Sequence, residues 1–151
     1  MTANTREVTS YLPTGIPLPA PSPDGLDSEF WEATRRHELA VQRCGACGTF
    51  QFGPEWICHR CHSSDLRWHR TTGRGLIYSW ERIWHPVHPA LTNACPYVVI
   101  LVELPDAGNV RIIGNLLGDP LQEVTIGKRV EAVFEDHPSE QVTLVQWQCV
   151  P

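Results

Sequence analysis

Four cysteines, Cys44, Cys47, Cys58 and Cys61, stand in the pattern C-x2-C-x10-C-x2-C. Each Cys-x-x-Cys pair bends two sulfurs onto one tight turn. Two such turns close a tetrahedron of thiolates around a single metal ion, and Zn2+ is the ion this ligand set selects. Gly45 and Gly48 flank the first turn, where backbone must pass close to sulfur. A site with four thiolate ligands keeps no open position for water or substrate, so its zinc holds structure and does not catalyse. His59 and His62 stand beside the second pair. With four sulfurs present they read as neighbours of the site, His62 being the natural substitute should one cysteine not ligate.

Other chemistry is sparse. The chain has no G-x-S-x-G elbow, no glycine-rich phosphate loop and no paired-carboxylate motif. Cys95 and Cys149 lack a companion motif and read as small buried hydrophobes. The segment HPVHPALTNACP, residues 85–96, carries His85, His88 and Pro89, and its length exceeds an ordinary hairpin connection. Two histidines invite a metal or general-base reading, but no Asp or Glu lies within the segment to orient either ring. A proline-stiffened loop whose imidazoles bond backbone is the plainer reading. Its apolar residues point to a partner surface.

The elements that position these residues follow from composition and period. Residues 11–25 hold five prolines, which forbid helix and ladder pairing, so they form an extended arm. Tyr11, Leu12, Ile16 and Leu18 suit an arm laid on a surface, the chain's own or a partner's; a flexible leader is the other reading. Asp27 or Ser28 is expected to cap a helix of about ten residues, stapled by Leu26 toward Phe30 or Trp31, with His37 at its C-terminal dipole. Short strands are expected at 39–43, 49–52 and 66–68 around the cysteines, with Trp56 and Ile57 entering the second turn. Strands follow at 76–84, 97–103, 110–117, 129–135 and 142–149. The run YVVILVE reads as a central strand covered on both faces, and Gly114 as a bulge or bend. Tyr78, Trp80 and Trp84 alternate, which places them on one face. Five such strands close a small barrel of the OB type.

These boundaries give a mainly β chain in three parts: arm and short helix at 1–38, zinc ribbon at 39–72, barrel at 73–151. At 151 residues and 17.0 kDa the chain is long enough for a core. Net charge is −5 and pI about 5.7. Residues 39–72 carry four arginines against two acids, whereas 74–151 carry five basic residues against nine acidic ones. That acidic half speaks against nucleic acid as a partner. An apolar signal region and a membrane-length run are both lacking, and free thiols with a zinc site suit a reducing cytoplasm.

The order FWEATRRHELAVQRC, the cysteine ribbon, GRGLIYSW, HPVHPA and PYVVILVEL resembles the zinc-ribbon plus OB-fold proteins of domain-of-unknown-function family thirty-five. The resemblance runs from about Pro17 to Asp136. It implies a helical segment, a rubredoxin-like ribbon and an OB barrel. It also implies a non-catalytic partner of a thiolase-like enzyme that makes or breaks carbon–carbon bonds in acyl-CoA thioesters, such as those of steroid side chains or aromatic acids. Acyl-CoA would then be bound only together with the partner. On this reading the barrel and the 85–96 loop dock the partner, Arg43, Arg60 or Arg67 lies near the CoA phosphates, and Tyr97 serves docking or core packing. The other reading of a small barrel is a single-stranded nucleic-acid binder, with Tyr78, Trp80 and Trp84 as a stacking platform.

Overall fold

A computed structural model of the chain describes residues 13–151. The first twelve residues, which include Tyr11 and Leu12 of the arm, lie outside the described residues. The arm turns at Thr14–Gly15, where Ile16 N–H donates to Pro13 C=O at 3.4 Å, and then runs extended to a turn at Ser22, whose backbone N–H donates to Asp27 Oδ1 at 2.7 Å. Helix α1 spans Ser28–Arg35 with Asp27 at its N-cap position. The expected side-chain cap is not made. The Asp27 carboxylate is instead taken by Ser22 and by Trp31 Nε1, 2.9 Å from Oδ2. At the other end Glu38 N–H bonds Ala33 C=O and His37 N–H bonds Thr34 C=O, at 2.9 and 2.8 Å. This is a Schellman closure, with His37 at φ 57° where glycine is usual.

Three short strands build the ribbon: β1 Ala40–Cys44, β2 Phe50–Gln51 and β3 Leu66–Arg70, in the antiparallel order β2-β1-β3. Trp56 and Ile57 belong to no strand and are 61% and 50% exposed. The barrel follows with β4 Arg74–Ile83, β5 Tyr97–Leu104, β6 Val110–Asn115, β7 Arg129–His137 and β8 Val142–Cys149. Its sheet order is β6-β5-β4-β7-β8. A parallel bridge between Leu116 and Trp147, with Leu117 N–H donating to Trp147 C=O at 2.7 Å, nearly closes the ring. The closure is parallel although every named strand pair is antiparallel, because direction alternates along the order and with five strands the outer two, β6 and β8, run the same way.

The core explains why ribbon and barrel stay together. Leu39 and Val41 from the ribbon side pack in one cluster with Ile77, Ile100, Val130 and Trp147 of the barrel. Phe50 closes on the turn after β5, where a Cβ at Gly108 would stand 2.9 Å from Phe50 Cδ2. Asp106 Oδ2 accepts from Thr72 N–H at 2.7 Å across the same seam.

Three expectations about strands change. In β5 only Val98, Ile100, Val102 and Leu104 are wholly buried; Tyr97, Val99, Leu101 and Glu103 alternate with them and are half-buried. The strand's apolar run therefore serves a barrel interior plus an incompletely covered outer face. Gly114 sits in unbroken register opposite Ile100, with no bulge. Its lack of a side chain leaves room for the Trp147 indole. The irregularity lies in β4 instead, between Ile77 and Ser79. That extra residue puts Trp80 opposite inward-facing Ile100, whereas Tyr78 lies under the guanidinium of Arg111, 3.5 Å from its ring centre. Arg111 pairs across from Glu103 on the outer face, so Tyr78 and Trp80 do not share a side. Trp84 lies beyond the end of the strand.

Candidate functional site

The two Cys-x-x-Cys turns are near copies. Gly48 N–H donates to Cys44 C=O and His62 N–H to Cys58 C=O, both at 2.9 Å. Cys44 N–H meets Thr49 C=O at 2.8 Å, and Cys58 N–H meets Ser63 C=O at 2.9 Å. Backbone amides point at sulfur in both, Cys47 N–H to Cys44 Sγ and Arg60 N–H to Cys58 Sγ, at 3.4 Å each. Gly48 and His62 take the equivalent left-handed position, at φ 75° and 60°. His62 is thus the turn residue of the second copy, and the ligand set is all cysteine.

All four sulfurs lie within 4.8 Å of one another. Cys44 and Cys61 are 3.6 Å apart, Cys47 and Cys58 3.7 Å. A tetrahedron with metal–sulfur bonds of about 2.3 Å requires edges of about 3.8 Å, so the four sulfurs fit Zn2+. Their crowding also separates the protonation of the bare thiols. A hydrogen bond from the Thr49 side chain, then one from its backbone, holds Cys47 down to about 6. For Cys61 a backbone hydrogen bond from Ser63 lowers the value, but the neighbouring sulfurs and burial outweigh it and push the thiol up to about 12. Negative charge on one sulfur opposes it on the next until a cation is present.

A buried amide pair positions the second turn. Gln51 and Gln42 face each other across β2 and β1, with Gln51 Nε2 donating to Gln42 Oε1 at 3.0 Å. Gln42 then holds Glu55 by both backbone groups, at 2.9 and 3.1 Å. Gln51 Oε1 accepts from His59 N–H at 3.1 Å, next to Cys58. Neither residue stood out in the sequence. Only the strand register, which sets them opposite one another, reveals the clamp.

The remaining candidates divide between two places. Arg43 and Arg67 face each other across β1 and β3 and line a cavity of 370 Å³ beside the first cysteine turn. Arg67 is held by both oxygens of Asp65 at 3.0 Å, and Arg43 lies over the Phe50 ring at 5.2 Å. Arg60 is exposed on the second turn. The second place is an apolar groove of 450 Å³ on the outer face of the barrel, floored by Tyr97, Val99 and Asn115. Leu91 and Pro96 of the 85–96 loop wall one side and Ile16 of the arm another. Pro89 opens a short 3-10 turn, and His88 Nδ1 accepts from Ala90 N–H at 3.2 Å to cap it. His88 therefore bonds backbone, and His85 is simply exposed. No residue is common to the groove and the arginine cavity. Cys95 and Cys149 are half-buried rather than buried, and among the described residues only the four ribbon cysteines form a metal-binding cluster.

Residues 31–67 match the family model described as the rubredoxin-like zinc ribbon domain of ChsH2, and residues 68–135 match its C-terminal OB-fold domain. A DUF35 domain-containing scaffold protein of Methanocaldococcus jannaschii is 31% identical over 100 residues, covering 66% of this chain and 69% of that one. The chain belongs to the DUF35 family. Two longer relatives also match this DUF35 chain. One is a probable enoyl-CoA hydratase alpha subunit of Thermomonospora curvata, 39% identical over 105 residues, which are 69% of this chain and 32% of that protein. The other is the 3-oxo-4,17-pregnadiene-20-carboxyl-CoA hydratase alpha subunit of Mycobacterium tuberculosis, 30% identical over 144 residues, with coverage of 87% and 44%. The DUF35 chain thus spans less than half the length of either. Among solved structures it is similar to a chain of the Ltp2-ChsH2(DUF35) aldolase, with a TM-score of 0.72, 32% identity, and coverage of 87% of this chain and 98% of that one. No helix among the described residues is long and apolar enough to cross a membrane.

Proposed function

We propose that this chain is a non-catalytic subunit that docks on a thiolase-fold enzyme and supports formation or cleavage of a carbon–carbon bond in an acyl-CoA thioester. The observation that carries this reading is its likeness to a chain of the Ltp2-ChsH2(DUF35) aldolase, at 32% identity with 98% of that chain covered. The molecule's own chemistry supports it. Its one metal-binding cluster among the described residues is closed by four sulfurs, which suits a staple and not a Lewis acid. Exposed Trp84, Val87 and Leu121, at 58%, 82% and 62%, give the barrel the apolar surface a partner would cover. The hydratase names belong to proteins of which this chain spans 32% and 44%, so hydration is not carried over.

Docking through the barrel and the 85–96 loop leaves the ribbon arginines free to meet CoA phosphates, with Arg43 the less encumbered of the facing pair. Acyl-CoA binding belongs to the assembled complex, in a reducing cytoplasm. Co-expression with a thiolase-fold enzyme encoded beside it tests the proposal. A heteromeric complex on size exclusion that turns over an acyl-CoA, with the isolated chain inert, is the expected result. Clean separation of the two proteins at micromolar concentration, or turnover by this chain alone, overturns it.

A further inference from the structure

The outer face of β5 presents an unusual combination. Its alternate residues Tyr97 and Val99 are apolar or aromatic, yet only loops and the proline arm stand over them. An ordinary solvent-facing strand alternates to polar side chains here. The 450 Å³ groove that results lies within the range of small-molecule sites, and none of its lining side chains is charged. Pro13, Pro96 and Pro120 stiffen its walls, and Gly15 of the arm packs on the loop, a Cβ there standing 3.6 Å from Ala90 Cβ.

Two polar groups interrupt the apolar floor. Asn115 lies directly opposite Val99 in the β5–β6 pair, and Tyr97 is two residues earlier on β5. Asn115 spends its backbone N–H on Gln146 Oε1, at 3.0 Å, but no described residue hydrogen-bonds its carboxamide or the Tyr97 hydroxyl. The Tyr97 hydroxyl, protonated at neutral pH like any phenol, can donate or accept there, and burial, with the nearby Cys95 adding to it, raises it further above its ordinary value. An apolar trough with a donor and an amide that no described residue engages suits a ligand that is apolar along its length and carries an oxygen to meet them.

We infer that this groove holds the acyl part of a CoA thioester, with Tyr97 and Asn115 reading a carbonyl or hydroxyl oxygen far from the thioester. The inference rests on the acyl-CoA reading above and deepens it by placing the acyl group on the accessory chain. The floor and walls come from three separated segments, so the seat exists only in the folded barrel with its arm in place. Val99 sets its depth; Tyr97 and Asn115 set its preference.

Saturation-transfer NMR on the full chain and on its complex with the thiolase-fold partner tests this, using decanoyl-CoA and 9-oxodecanoyl-CoA as probes. Transfer to the acyl protons is expected in the complex for both probes, at least fivefold stronger for the oxo probe at equal concentration. Tyr97→Phe and Asn115→Ala should remove that preference while leaving decanoyl transfer in place. Val99→Trp should abolish both signals with the complex still eluting intact. Acyl transfer undiminished by Val99→Trp, an oxo preference that survives Tyr97→Phe and Asn115→Ala together, or no acyl transfer to either preparation would each overturn the inference. Should Val99→Trp not fold, the two polar variants decide alone. If the complex forms and turns over substrate but its acyl protons show no transfer from this chain, the groove fails and the accessory reading stands. If no complex forms, the accessory reading itself fails.

Discussion

His37 Nε2 lies 2.9 Å from Asp136 Oδ2, tying the second residue after α1 to the end of β7 across 99 positions of sequence. The same ring lies flat on Phe134, 5.2 Å between centres at 4°. These contacts explain a histidine at φ 57°, where glycine is cheaper by about 1 kcal/mol. His37→Ala keeps the unfavourable backbone and loses both contacts, so a loss of about 1–2 kcal/mol is expected. His37→Gly loses the contacts but relieves the backbone, and should be more stable than His37→Ala by about 1 kcal/mol. Urea unfolding of the zinc-loaded variants gives the order; alanine equal to glycine would show the backbone is not strained there.

The Gln42–Gln51 clamp predicts a defect in metal retention from a residue that touches no metal. Gln51→Leu strands His59 N–H beside Cys58 and frees Gln42, leaving buried polar groups unpaired at about 1–3 kcal/mol. Zinc affinity should fall about tenfold or more, as for other groups that orient ligands. Competition with a chromophoric chelator measures this. Wild-type affinity in the variant would mean the second cysteine turn holds itself.

Much of the fold was legible in advance because its signals are local. The cysteine spacing names its own ligands, and Val142–Cys149 stands as a strand with the bounds read from its alternation. What escaped depends on pairing. A single inserted residue in β4 leaves the apolar–aromatic alternation of LIYSWERIW intact while turning Trp80 to the opposite side from Tyr78. Arg67 looked free until Asp65 closed on it, and Gln51 looked ordinary until Gln42 stood across from it. The groove needs three segments to meet, which no window of sequence displays.

Stripping zinc should sort the cysteines by reactivity. Cys47, held to about 6, is mostly thiolate at pH 7, whereas Cys61 at about 12 remains protonated. Iodoacetamide applied at pH 7 directly after chelation should label Cys47 before Cys61, as read by peptide mass spectrometry. At pH 5, below the Cys47 value, labelling of Cys47 should slow about tenfold while Cys61 stays unlabelled. Zinc-loaded protein should resist labelling at all four positions. Equal labelling of Cys47 and Cys61 at pH 7 would contradict the thiol arrangement described.

The β4 irregularity bears on nucleic acid. A stacking platform needs aromatic faces side by side over a basic surface, and here Tyr78 is already covered by Arg111 while Trp80 packs with Arg82 on the other side. A labelled oligothymidine should therefore give no anisotropy change with micromolar protein at about 50 mM salt, where counterion release is most favourable. Binding that weakens steeply with added salt would reinstate the nucleic-acid reading.

Gly114 and Trp147 make the last test, because the barrel closes where they touch. A Cβ at position 114 would stand 2.7 Å from Trp147 Cδ1 and 3.0 Å from Val145 C=O. Trp147 is wholly buried and its backbone carries the Leu117 bond that joins β6 to β8, so the indole has nowhere to retreat. Gly114→Ala should cost about 1–3 kcal/mol by overpacking. The Trp147 Nε1–H is buried without a partner among the described residues, so Trp147→Phe surrenders packing but no hydrogen bond. It also clears the space a Cβ needs. The double variant Gly114→Ala/Trp147→Phe should then be less destabilised than the sum of the two, by about 1 kcal/mol. Strict additivity in urea midpoints would mean that the two residues do not share the contact that shuts the barrel.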